Sequence, residues 1–188
     1  YRLASRLAAL MPGELDHVFF AESGSVAVEI SMKMALQYWI NRGVAGRTKF
    51  VSFLGGYHGD TLATMTICDP EEGMHGLFSG VMPAQHVVGL PRDAESEAGL
   101  DALLAEKGHE IAALIVEPRV QGAGGMLLHD DSVLATLRKL ADKHGLLLIF
   151  DEVITGFGRV GPCFAAQAVD VVPDMITIAK GLTNGTVP

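Results

Sequence analysis

Two unbroken apolar runs, Ile111 to Val116 and Leu146 to Phe150, restrict this chain to few architectures. A strand without polar alternation has to be buried on both faces, the situation of a parallel sheet covered by helices on either side. Segments around Leu100 to Lys107 and Ser132 to His144 read as helices, and Met175 to Ala179 reads as another strand. Strands alternating with helices predict an α/β fold, with a mainly parallel sheet and helices on both faces.

The first half fits the same plan. Leu3, Leu7 and Leu10 suggest an amphipathic opening helix that Pro12-Gly13 breaks, and His17 to Phe20 reads as a short strand. A long helix follows: Ser23 or Ser25 can cap it, Val26, Ile30, Met34 and Tyr38 recur at fourfold spacing, and Asn41 to Gly43 ends it. Lys49 to Phe53 is a strand that runs into Gly55-Gly56-Tyr57-His58-Gly59-Asp60, where three glycines imply a tight loop. Residues 69–90 show no dependable period and read as a long loop.

At 188 residues the chain is expected to form one large domain, and both ends read as cuts, at Tyr1 and at Pro188. A net charge of -8 speaks against nucleic acid or an anionic membrane as partner and favours a small soluble ligand. Cys68 and Cys163 lack the spacing of a disulfide framework or a zinc site, and His58, His75 and His86 have no metal-ligand spacing. No targeting segment or membrane span is recognisable, so a cytoplasmic location is expected.

In open parallel sheets, ligands bind beyond the carboxyl ends of the strands. Four polar groups stand there: Glu117-Pro118, Asp151-Glu152, Lys180-Gly181, and Glu22-Ser23-Gly24-Ser25 after His17 to Phe20. Alone, the serine-glycine turn reads as a helix cap, although the same amides can cradle a phosphate. Asp151 follows five apolar residues, and a buried carboxylate requires a cation or protonated heterocycle opposite it. Glu152 points to the other face and reads as a structural salt-bridge partner. At the end of an apolar strand, Lys180 would be desolvated and free for Schiff-base chemistry. A lone lysine there is ordinarily a surface residue, but the matching carboxylate, anion cradle and aromatic loop together favour chemistry.

The runs DEVITGFGRVG (151–161) and PDMITIAKGLTNG (173–185) resemble the signature of class III pyridoxal-phosphate aminotransferases, and the resemblance covers essentially the whole chain. It implies a fold-type I transferase large domain over residues 1–188, lacking an N-terminal segment and a C-terminal small domain, with little or no turnover by itself. It implies pyridoxal 5'-phosphate as cofactor, a small-molecule amino donor and keto acceptor, and a homodimer with a shared active site. Carried over by position, Lys180 bears the cofactor as a Schiff base and moves the protons, and Asp151 pairs with the pyridinium nitrogen. Gly24 and Ser25 hold the phosphate, Tyr57 lies on the ring and meets substrate, and Val153 packs on the opposite ring face. Asp60 faces the substrate or caps the next helix, Glu117 supports the site from behind, and His58 packs against or orients Tyr57.

SGSVAVEISMKMALQYW (23–39) and GYHGDTLATMTICDP (56–70), with Met74-His75 downstream, narrow the resemblance. They point to the branch that transfers an amino group from S-adenosylmethionine to 8-amino-7-oxononanoate in biotin biosynthesis. Asn184, in GLTNG, instead resembles the ω-amino acid:pyruvate branch. A non-catalytic binding protein on this scaffold is the rival from another class, and it should have lost Lys180 or Asp151. A serine hydrolase lacks its GxSxG elbow here.

Overall fold

The computed structural model describes residues 1–71 and 75–187, so Met74 and Pro188 lie outside the described residues. Strand β1 (Lys49–Phe53), β2 (His86–Val88), β3 (Ile111–Val116), β6 (Leu147–Asp151) and β7 (Met175–Thr177) form one parallel sheet in the order β2-β1-β3-β6-β7. The unbroken apolar run of β3 lies at its centre, and all six residues are buried. A two-stranded antiparallel hairpin, β4 (Val120–Gln121) and β5 (Leu127–Leu128), follows β3.

Strand alternation divides the core into two layers. Val51, Phe53, Leu114, Val116, Leu148 and Phe150 pack against helices α4 (Ala94–Lys107) and α5 (Asp131–His144). Phe50, Ala113, Ile115, Leu147 and Ile149 pack against Val28, Met32 and Ala35 of helix α2 (Gly24–Asn41). Each fully buried aliphatic side chain contributes about 1.5–3 kcal/mol. Trp39 anchors α2 further by donating its indole N–H to the carbonyl of Ala112, at 2.9 Å. Short helices α1 (Arg2–Ala8), α3 (Leu62–Met65) and α6 (Ala165–Val169) complete the set.

Helix ends follow their local chemistry. Ser23 is the cap of α2, its hydroxyl accepting from the Val26 amide, and Asp93 with Ser96 forms a capping box on α4. Gly145 ends α5 in the left-handed conformation, φ 60°, which glycine adopts without strain.

Several expectations are corrected. His17 to Phe20 forms no strand, since β7 has no hydrogen-bonded neighbour on its outer side among the described residues, and Phe19 and Phe20 are exposed. The stretch 69–90 is not all loop: Gly76–Phe78 is a 3-10 turn, and β2 pairs with β1. The strand expected over Met175 to Ala179 ends at Thr177. On α2 the buried face is Val28, Ser31, Met32 and Ala35. The stripe containing Ile30 and Met34 lines a groove with the Met11 to Ala21 segment instead.

Glu152 has no salt bridge among the described residues. Fully buried on the α4/α5 side, it accepts hydrogen bonds from the Ala165 and Ala166 amides, at 2.8 and 3.1 Å, and from the Thr155 hydroxyl. The carboxylate thus satisfies the first turn of α6, a charge-assisted arrangement that needs no cation. Removing it strands two buried donors. Glu152→Ala is expected to lower the unfolding free energy by roughly 2–4 kcal/mol, read as a reduced denaturant midpoint with unchanged slope.

Candidate active site

Because every strand of the main sheet is parallel, the loops after β1, β3, β6 and β7 emerge at one end. There they meet the start of α2 around a cavity of about 780 Å³. Gly24, Ser25, Tyr57, Asp151, Val153 and Lys180, picked out from the sequence as cofactor residues, all line it, as do His58 and Glu117. The size suits a small molecule.

The start of α2 presents first-turn amides and the positive end of an 18-residue helix dipole. Gly24 permits the close packing here: a Cβ on it would lie 3.1 Å from Val153 Cγ1 and 3.4 Å from Ala179 Cβ. The Ser25 hydroxyl accepts from the Asp60 amide at 3.0 Å, tying the glycine loop to the helix. Arrangements of this type bind anions.

Asp151 is buried at the tip of β6 and faces the α2 side, as alternation from Ile149 requires. One carboxylate oxygen accepts from the Val153 amide and the Thr177 hydroxyl, each at 3.2 Å, and the other lies 2.7 Å from His58 Nδ1. His58 therefore has a partner, and it is Asp151 rather than Tyr57. Burial pulls the His58 pKa down, but the hydrogen bond and charge of Asp151 outweigh it, and the net direction is up.

Glu117, at the end of β3, accepts from the Tyr57 amide at 3.0 Å and from the Gly122 amide at 3.1 Å. It staples the glycine loop to the hairpin that follows β3. Burial pushes its carboxyl up to about 7, against the pull of His58.

Tyr57 stacks on His75, with ring centroids 6.0 Å apart. Burial, then a hydrogen bond to Asp60, pushes its hydroxyl up to about 12. Asp60 does not line the cavity and does not cap α3, whose cap position is Thr61. Its carboxylate lies 3.5 Å from His75 Nε2.

Lys180 departs from expectation. It stands three residues past β7, opens a 3-10 turn, and is exposed at the cavity wall rather than desolvated by its strand. Its φ of 32° is unusual for a residue with a side chain.

Sequence reasoning missed Thr177 as a partner of Asp151, His75 as the stacking partner of Tyr57, and the hairpin glycines. The repeat Gly122-Ala123-Gly124-Gly125 was the available signal: a Cβ on Gly124 would collide with the Gly55 carbonyl, so the two backbones touch.

A pH dependence follows from Glu117. Its folded pKa, about 7, lies above the ordinary 4.5, so the native state holds the extra proton between those values, and stability falls as pH rises through that window. In wild-type minus Glu117→Gln unfolding free energies, measured from pH 4 to 8, this loss is expected to reach up to about 3 kcal/mol. A flat difference contradicts it.

The profile "Aminotransferase class-III" matches residues 1–188. Adenosylmethionine-8-amino-7-oxononanoate aminotransferase from Mycobacterium leprae is 47% identical, over 98% of this chain and 43% of its own length. An omega-aminotransferase from Caulobacter vibrioides is 42% identical, over 100% of this chain and 46% of its own. The crystal structure of an amine transaminase from an uncultivated Pseudomonas species, in a PLP-bound form, superposes with a TM-score of 0.87 at 37% identity, covering 100% of this chain and 45% of that one. The chain thus spans less than half the length of these relatives, and its architecture is that of fold-type I pyridoxal-phosphate aminotransferases. By sequence and by fold, the chain belongs to the class III aminotransferase family.

Proposed function

We propose that this chain supplies the pyridoxal-phosphate pocket of an enzyme that moves an amino group from S-adenosylmethionine to 8-amino-7-oxononanoate, giving 7,8-diaminononanoate. The observation that carries the reading is the convergence of Lys180, Asp151, Tyr57 and the start of α2 on one cavity. Each suits one part of the cofactor. The α2 amides with Gly24 and Ser25 suit a phosphate, and the close approach at Gly24 would be filled by any side chain. Asp151, backed by His58, suits a protonated ring nitrogen, while Tyr57 and Val153 offer surfaces to the two faces of a ring.

When bound, pyridoxal phosphate supplies an electron sink for a carbanion next to the substrate nitrogen. The chain's own residues do the rest. The Asp151 carboxylate holds a proton on the ring nitrogen, with the His58 hydrogen bond fixing its orientation. The Lys180 amine would hold the cofactor and then move protons as general base and acid, taking one from the donor Cα in the first half of the transfer and delivering one to the acceptor carbon in the second. Glu117 keeps Tyr57 and the hairpin in register across the cavity.

The Mycobacterium leprae relative supports S-adenosylmethionine as donor. A second reading, an ω-amino acid:pyruvate aminotransferase, draws on the Caulobacter relative and on Asn184. A homodimer is part of the proposal: Leu54, Met126, Leu127 and Leu128 leave an exposed apolar surface on the loop after β1 and on the hairpin packed against it, which a second copy would cover. Cys68 and Cys163 are both free, which supports a reducing compartment, and we place the protein in the cytoplasm.

Two measurements test this reading on the complete gene product. Pyridoxal phosphate followed by borohydride is expected to modify Lys180, with the label lost in Lys180→Ala and cofactor affinity reduced by roughly tenfold or more in Asp151→Asn. Label spread over surface lysines contradicts the pocket. Amino transfer from S-adenosylmethionine to 8-amino-7-oxononanoate is expected to exceed transfer between β-alanine and pyruvate; the reverse order selects the second reading.

A further inference from the structure

Lys180 has a backbone that a residue with a long side chain seldom adopts. Its φ is 32°, on the positive side that residues with a side chain rarely adopt. Such a conformation persists only where surrounding structure over-determines it. The neighbours of Lys180 show what does so.

On one side, Ala179 is buried against the start of α2, next to Gly24. On the other, Gly181 lies against Phe157: a Cβ added to Gly181 would stand 3.0 Å from Phe157 Cβ, 3.2 Å from Cδ2 and 3.3 Å from Cγ. Phe157 cannot readily yield. Its backbone is itself left-handed, φ 59°, and its ring meets Phe164 edge-on, with centroids 5.3 Å apart. Phe164 is fully buried beside α6, whose first turn is held by Glu152. A continuous stack therefore runs from the buried core through Phe164 and Phe157 to Gly181.

We propose that Phe157 is a positioning residue for Lys180: packed against Gly181, it clamps the turn so that the Lys180 amine is presented at the cavity wall. It does not line the cavity and acts through the lysine's main chain. Gly181 serves the contact by having no side chain, so the residues on either side of Lys180 are held, Ala179 by the α2 start and Gly181 by Phe157. The proposal rests on Lys180 being the cofactor-bearing lysine.

The test uses the complete gene product as Gly181→Ala, Phe157→Gly and the double variant. Borohydride trapping of pyridoxal phosphate, with peptide mapping, reads the lysine, and hydrogen exchange of the cofactor-free protein reads the turn. Gly181→Ala is expected to reduce Lys180 labelling by roughly tenfold or more, the scale of an overpacked contact. Adding Phe157→Gly should restore it to within about threefold, because the vacated space accepts the methyl and the two sites couple through that contact. Phe157→Gly alone should speed amide exchange over residues 181–184 while β3 and β6 stay protected, a pattern that general destabilisation does not give.

Equal labelling in wild type and Gly181→Ala overturns the proposal, as does a folded double variant that labels no better than Gly181→Ala. If Gly181→Ala fails to fold, exchange in Phe157→Gly decides: unchanged rates over 181–184 overturn the clamp. Absence of Lys180 label in the unaltered protein overturns the functional reading instead, and exchange then still judges the packing.

Discussion

The buried pair of Asp151 and His58 is the interaction on which the site depends. A carboxylate at 2% exposure is costly unless its oxygens are satisfied, and here each has a protein partner: His58 on one, the Val153 amide and Thr177 hydroxyl on the other. Those partners come from three separate segments. Satisfying Asp151 therefore fixes the glycine loop, the turn after β6 and the end of β7 relative to one another. A carboxylate accepts about four hydrogen bonds, which leaves Asp151 capacity for one more donor from the cavity side.

Glycines then bring those segments close enough to enclose a ligand. Gly24 lets α2 approach Val153, and Gly124 lets the hairpin meet Gly55 backbone to backbone. Glu117 bridges the same two loops from below. The cavity walls are thus held by carboxylates and close approaches, with the apolar sheet acting as the rigid base beneath them.

Much of this was legible in the sequence, for identifiable reasons. The apolar runs of β3 and β6 required burial on two faces, and period-two alternation placed Asp151 and Glu152 on opposite ones. What a linear reading cannot supply is the partner across space. Glu152 needs no cation because the start of α6, 13 residues along the chain, meets it with amides instead. His58 gave no sign of Asp151, 93 positions downstream. The apolar run at Phe19 and Phe20 carried strand composition but found no paired edge, and composition alone does not make a ladder. Lys180 was read as the end of a strand, yet its conformation is set by the turn and by Phe157, contacts that no spacing encodes.

The central claim is that Lys180, Asp151 and the start of α2 act on one cofactor molecule at once. A crystal structure of the complete gene product with pyridoxal phosphate tests it most directly. The account predicts density continuous with Lys180 Nζ, a ring nitrogen hydrogen-bonded to Asp151, and a phosphate on the amides at Gly24 and Ser25. A cofactor joined to another lysine, or a ring nitrogen turned away from Asp151, would contradict it.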